Sequence, residues 1–177
     1  MVEDKNIGGR KMGQKKLVGR LVTLKPLSKI YFGEYLKMFS EKVRELLHVS
    51  SGESELEYLE ERLERQKTGE IFFYLIFENK ENKLVGAIEI RDLQETDSQL
   101  YSWVHEDYWG TGVYQEALAL VSKEYFDETK EKFYSANVDV VNVRSYHALK
   151  KYGFIDSGFK KGPFGKQYVL ILRKKYE

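Results

Sequence analysis

Two glycines one residue apart, Gly110 and Gly112, sit between a strand-like run (Leu100-Tyr101-Ser102-Trp103-Val104) and a run with helical spacing. Glycines at such a junction leave main-chain N–H groups open to an anion, and the helix dipole adds positive charge at the same point. Trp109-Gly110-Thr111-Gly112-Val113-Tyr114 therefore reads as a phosphate cradle. Other chemistry is restricted. With no cysteine the chain has no thiolate nucleophile, no thiolate zinc site and no disulfide. His48, His105 and His147 are far apart and fit no metal-ligand spacing, so no metal is expected.

The elements around the cradle can be read from periodicity. Met1 to Lys16 carries three glycines and five Lys/Arg with few large apolar residues, and reads as a flexible basic tail. Leu21-Val22-Thr23-Leu24 is a first strand ended by Pro26. Ser28 is placed to cap a short helix reaching Met38-Phe39, and Glu41 to Leu47 is a second helical piece. Ser54 and Glu57 form a capping box before Leu56, Leu59 and Leu63, which predicts an amphipathic helix from Glu55 to about Lys67. Its acidic outer face has two readings, a solvated surface or a surface that meets a cationic substrate. Ile71 to Phe77 and Leu84 to Arg91 read as an antiparallel hairpin. Strict alternation in the second strand groups Val85, Ala87, Glu89 and Arg91 against Leu84, Gly86, Ile88 and Ile90. Glu89 then points away from the more hydrophobic face, or into a cleft.

The strand Gln99 to Val104 feeds the cradle, and a helix from Val113 to about Asp127 leaves it. Phe133 to Val140 is the next strand, so strand, glycine turn, helix and strand make a βαβ unit with parallel strands. A helix from Val143 to Lys151 stops at Gly153. Phe154 to Lys160 and Gln167 to Arg173 form a closing hairpin. One α/β domain, residues 17–177, accounts for the chain. Its 177 residues, 42% hydrophobic and 32% charged, suit one globular domain, and a net charge of +1 gives no general drive toward nucleic acid or membrane. No run approaches the roughly 18 apolar residues of a membrane span and no signal peptide is visible, so a cytoplasmic protein is expected.

The ligand class follows from what is missing. A dinucleotide site wants a third glycine and an early position in a parallel sheet, and a P-loop wants Gly-Lys-Ser/Thr. Neither is present. The order of elements, together with Tyr108-Trp109-Gly110-Thr111-Gly112 followed by Glu116-Ala117, and Asn142-Val143-Arg144-Ser145 followed by Gly153-Phe154, resembles the GNAT superfamily of acyl-CoA-dependent N-acyltransferases. Within it the chain looks most like the RimJ/RimL branch of ribosomal-protein N-terminal acetyltransferases, over about Leu17 to Arg173. The resemblance implies an α+β fold: a mixed, mostly antiparallel central sheet with one parallel βαβ unit and flanking helices. Three departures stand out. Trp109 takes the place of the general Gln/Arg, and Tyr114 stands where a small residue is usual. Leu149 occupies the position of the tyrosine that many members carry before Gly-Phe.

The resemblance also implies roles. Acetyl-CoA would be the co-substrate, its pyrophosphate held by Trp109, Gly110, Thr111, Gly112, Val113 and Tyr114, and its pantetheine running beside Trp103, Val104 and His105. A gap between the strands at Val104 and Phe133 would aim the Val104 N–H at the thioester carbonyl, a donor typically worth about 2.7–4 kcal/mol in the transition state. Asn142 would bond the pantetheine or a site water, or cap its helix. Ser145 would donate to the departing sulfur, or bond its own backbone. Glu89 is the candidate general base; His105 has a suitable reference pKa, but its place just after the strand edge favours a loop-shaping role, while His48 and His147 are expected at the surface or in packing. A lysine amine is only about 0.1% neutral near pH 7.4, whereas an α-amine is about a quarter neutral and asks less of a base. The function implied is direct acetyl transfer to a primary amine: a peptide N-terminus, a polyamine or another small amine. Partners are acetyl-CoA and that amine, without nucleic acid or membrane, and a homodimer stays open. The rival of another class is a non-catalytic acyl-CoA-binding domain.

Overall fold

The computed structural model describes residues 12–49 and 52–175, with the side chains of Gly52 and Glu53 also outside the description. Part of the expected tail, residues 1–11, lies outside these. Residues 12–16 pack on the body, with Met12 against the core and Lys15 paired with Glu124 at 2.5 Å.

Eight strands form one sheet: β1 (Leu17–Val18), β2 (Val22–Pro26), β3 (Phe72–Glu78), β4 (Lys83–Arg91), β5 (Gln99–Val104), β6 (Phe133–Asp139), β7 (Ile155–Gly162) and β8 (Gly165–Arg173). Their spatial order is β1-β2-β3-β4-β5-β6-β8-β7, antiparallel throughout except for the β5–β6 pair. Among the described residues five α-helices cover it: α1 (Phe32–Lys37), α2 (Glu41–Leu47), α3 (Gly52–Lys67), α4 (Val113–Thr129) and α5 (Val143–Tyr152). No helix among the described residues is long and apolar enough to cross a membrane.

Both faces of the central sheet are covered, so β3 is buried along nearly its whole length and reads as a continuous apolar run rather than an alternating one. On one face, Val85, Ile88 and Ile90 pack with Ala117, Leu118 and Val121 of α4 and Leu149 of α5. On the other, Phe73, Leu75 and Ala87 pack with Tyr35, Val43, Leu59 and Leu63 of α1 to α3.

Three expectations are corrected. The strict alternation in β4 fails because the register slips: Phe77 pairs with Leu84 and Ile76 with Gly86, leaving Val85 as the extra residue of a bulge. Val85 thus joins the face of Ile88 and Ile90, while Leu84 joins that of Ala87. The capping box does not start α3, which begins at Gly52, so Ser54 lies inside the helix and Leu56 is 40% exposed. Ser28 makes no side-chain cap; a 3-10 turn, Lys29–Tyr31, precedes α1 there.

Candidate active site

The parallel pair β5–β6 stays together for only two register positions, Gln99 with Ser135 and Leu100 with Ala136, and then opens. Beyond Leu100, β5 still pairs with β4 as far as Val104 opposite Gly86. Just past it, His105 N–H donates to the Val85 carbonyl at 2.8 Å. Because N–H groups alternate sides along an extended strand, the Val104 N–H faces the opposite edge, toward the gap. Its carbonyl is taken by the indole N–H of Trp109 at 2.8 Å. The bulge at Val85 supplies the His105 acceptor and so fixes which edge Val104 presents.

Behind the gap lies the glycine turn. Gly110 and Gly112 adopt φ +75° and +89°, conformations that L side chains avoid, and a Cβ on Gly110 would meet nothing within 4 Å. Thr111 Oγ1 donates to the Tyr108 carbonyl at 2.6 Å and ties the turn. The N–H groups of Gly110, Gly112, Tyr114 and Gln115 have no hydrogen-bond partner among the described residues, whereas Glu116 N–H already bonds the Gly112 carbonyl. The first-turn amides of α4 thus face open space with the helix dipole behind them, a cradle that fits a diphosphate.

Glu116, an acid in that same turn, faces away from the cradle. Its carboxylate accepts from the backbone N–H groups of Arg20, Leu21 and Val22 at 3.1, 2.6 and 2.8 Å, binding α4 to the β1–β2 turn. Tyr114 turns inward, where its hydroxyl meets Ser102 Oγ at 2.9 Å, and burial pushes it up to about 12. Its hydroxyl therefore reaches β5, while the residue as a whole stays partly exposed. Trp109 carries the Arg144 guanidinium 3.5 Å above its ring and Lys42 Nζ at 4.9 Å, so the substitution of tryptophan still leaves cations beside the turn.

A cleft of about 430 Å³ opens from the β5–β6 gap and is walled by α1 to α3, α5 and the β7–β8 turn. Asn142 and Ser145 line it from α5. Asn142 Oδ1 accepts from Ser145 N–H at 3.2 Å, which makes it the N-cap, and the Ser145 hydroxyl has no partner among the described residues. Leu149 is buried in the core one turn below. Trp103 turns its side chain to the opposite wall, packing on Phe39 and donating to the Tyr35 hydroxyl at 3.3 Å.

Glu89, 2% exposed, forms the cleft floor with both oxygens engaged. Arg62 Nε lies 3.2 Å from one oxygen and Arg91 Nε 2.9 Å from the other, charge contacts not aligned as hydrogen bonds. Tyr58 donates to the second oxygen at 2.9 Å and accepts from Arg91 at 2.8 Å. Burial, and then the Glu89 charge, push the Tyr58 hydroxyl far above its usual value.

His105 caps the turn before the cradle, its Nδ1 accepting from Asp107 N–H at 3.3 Å. His147 is exposed. His48 is exposed and packed on Phe164 at 3.9 Å, as expected, but it also lines the cleft: it ends α2 in the left-handed conformation and contacts Asp139 at 3.2 Å. Sequence reasoning missed this, since Asp139 lies 91 residues away and no local pattern marks the pair. No group of three or more His, Cys, Asp or Glu that could hold a metal occurs among the described residues.

A mostly antiparallel sheet that parts at its one parallel pair, beside a helix N-terminus with free amides, defines an acyl-transfer fold. The chain belongs to the acetyltransferase (GNAT) domain family, whose sequence profile matches residues 22–155. No curated protein sequence matches it significantly. Solved structures of similar fold include a Salmonella typhimurium acetyltransferase that modifies the N-terminal serine of ribosomal protein L7/L12, with 14% identity, 91% and 100% of the two chains covered and a TM-score of 0.80. Another is the ribosomal-protein-S5-alanine acetyltransferase of Vibrio fischeri, at 14% identity, 90% and 96% coverage and a TM-score of 0.76. A third is RimJ of Mycobacterium smegmatis in complex with CoA-disulfide, at 17% identity, 93% and 90% coverage and a TM-score of 0.75. At these identities the likeness is one of fold.

Proposed function

We propose that the protein transfers an acetyl group from acetyl-CoA to a primary amine, with a peptide N-terminus as the first acceptor to test. The observation that carries this is the set of unengaged amides at Gly110, Gly112, Tyr114 and Gln115, one strand-end away from the gap-facing Val104 N–H. The amides take the CoA pyrophosphate, and the pantetheine enters between β5 and β6. Val104 N–H then meets the thioester oxygen as negative charge builds there. The amine attacks from the cleft, the C–N bond forms, the C–S bond breaks, and Ser145 Oγ donates its hydrogen bond to the departing sulfur. Asn142 holds the α5 N-terminus, and thereby Ser145, in place. Glu89, ringed by Arg62, Arg91 and Tyr58, sets the charge of the cleft floor in this reading. The fold neighbours' action on ribosomal-protein N-termini favours α-amines, as does the smaller cost of deprotonating them.

The test is CoA-thiol release from acetyl-CoA with peptides beginning Ser or Ala, with spermidine, and with no amine. Release that depends on an amine supports the proposal. Tight acetyl-CoA binding without release from any amine would leave a CoA-binding domain, and binding of ATP or NAD in place of CoA would remove the reading altogether.

A further inference from the structure

Three carboxylates line the cleft, and two of them are occupied. Glu89 is held by Arg62, Arg91 and Tyr58. Asp139 contacts His48 through one oxygen and accepts from Gln167 at 2.7 Å through the other. Glu55 is different: it lines the cleft from the first turns of α3, half-buried, with no hydrogen bond or ion pair among the described residues. We propose that Glu55 is the acceptor's receptor: it binds the incoming primary ammonium and takes its proton, and so acts as the catalytic base of this cleft.

A charged group half out of water without a partner is unfavourable unless a ligand completes it. The walls around it suit a cation. Tyr58, one helical turn on from Glu55, faces the same cleft, and Tyr35, Phe39 and Trp103 form a ring cluster opposite, with centroids 4.6 to 5.6 Å apart. The groups that act on Glu55 are few. Burial raises its carboxyl above the ordinary glutamate value and Arg44 of α2 pulls it back; Tyr35 of α1, raised chiefly by burial and further by Tyr58, also feels its charge. On α3 the nearby titratable group is Tyr58, itself raised mainly by burial and then by Glu89. The Glu55 carboxylate is open to an incoming proton, whereas both Glu89 oxygens already face cations.

The step balances. R–NH₃⁺ gives one proton to the Glu55 carboxylate and becomes R–NH₂. Its lone pair forms the C–N bond as the C–S bond breaks. The second nitrogen proton is lost as the amide forms and ends on the thiolate, so CoA leaves as thiol, and Glu55 returns its own proton to water. The inference rests on the function proposed above, and its test separates the two. The probe is n-butylammonium, followed by NMR of the Glu55 carboxyl carbon and of the α3 amides. The wild-type carboxyl should titrate above the ordinary value of about 4.3, and added n-butylammonium should lower that midpoint and shift the α3 amides. E55Q should lose the amide shifts while its affinity for acetyl-CoA stays within twofold of wild type. With any peptide that turns over, kcat/KM should fall at least tenfold in E55Q and lose the limb that rises with pH through the Glu55 titration, and E55D should recover part of the rate. Equal n-butylammonium binding by wild type and E55Q, or no shift at α3 in either, would overturn the role of Glu55 even if acetyl transfer is observed. Loss of acetyl-CoA binding by the wild type would instead overturn the function on which it rests.

Discussion

On one side of the β5–β6 gap the proposed CoA surface is main chain: the amides of Gly110, Gly112, Tyr114 and Gln115 at the start of α4. On the other side the proposed acceptor cleft is side chain, with Tyr35 from α1, His48 ending α2, Glu55 and Tyr58 from α3, Glu89 from β4 and Ser145 from α5. A backbone cradle needs only a local conformation, so two glycines within ten residues encode it. A side-chain cleft needs elements distant in sequence to converge, so it is specified by tertiary packing. Under the proposed function the first surface takes CoA and the second takes the amine.

Substitutions should separate the two surfaces. The largest effect is expected from Gly112→Asp, because like charges about 4 Å apart cost on the order of 4 kcal/mol near a protein surface, close to three decades in affinity. The φ of +89° adds strain and the new Cβ would lie 3.3 Å from Leu21 Cδ1. Calorimetry should find no acetyl-CoA binding by a protein that still shows a folded circular dichroism spectrum; unchanged affinity would remove the cradle. Next comes Arg91→Ala, which strips one cation from the buried Glu89 cluster. Breaking such a pair typically costs about 3–5 kcal/mol, seen as a lower denaturation midpoint, with CoA affinity of the surviving folded fraction retained. If this variant loses CoA binding and keeps its stability, the division into two surfaces is wrong.

Glu116→Ala crosses the boundary deliberately. It removes the acceptor of three backbone N–H groups and should cost about 3 kcal/mol, since hydrogen bonds to charged groups contribute roughly 1.5–3 kcal/mol and exposed turn amides regain water. Unlike Arg91→Ala, it should also weaken CoA, because α4 and its cradle lose their tie to the β1–β2 turn. Ser145→Ala should lower kcat by about a hundredfold, the lower end of acid–base contributions, with CoA affinity nearly unchanged; equal losses in both would make Ser145 a binding residue. The smallest effect belongs to Tyr114→Phe, which deletes the hydroxyl that meets Ser102 and should cost about 1 kcal/mol in stability. As burial raises the Tyr114 hydroxyl to about 12, it stays neutral across the assay range, and neither variant nor wild type should show a pH-dependent step from this position.

The same division explains what could be read in advance. Strand, turn and helix around Gly110 are local, and the parallel partner follows from the handedness of one connection, so the βαβ unit was legible. Asn142 as a cap was also legible, being a relation between neighbours. The partners of Glu89 were not: Arg62 lies on α3, and only packing of that helix over β4 brings the two together. Val85 was assigned to the wrong face because a bulge leaves no mark in an apolar strand. The cleft positions of His48 and Glu55 escaped notice for a related reason, since a histidine at the end of a short helix and a glutamate on an acidic helix carry no local sign of a cleft. For Glu55 one signal was present, its spacing of three from Tyr58 and seven from Arg62, which places all three on one helical face.

The central claim, that free main-chain amides beside the sheet opening hold the CoA moiety, is tested most directly by ¹⁵N–¹H spectra of the protein titrated with acetyl-CoA. The amides of Val104, Gly110, Gly112, Tyr114 and Gln115 should shift together with one saturation curve, while Gly69 and Gly158, remote from the turn, stay still. Saturable binding that leaves those five amides unmoved would contradict the account.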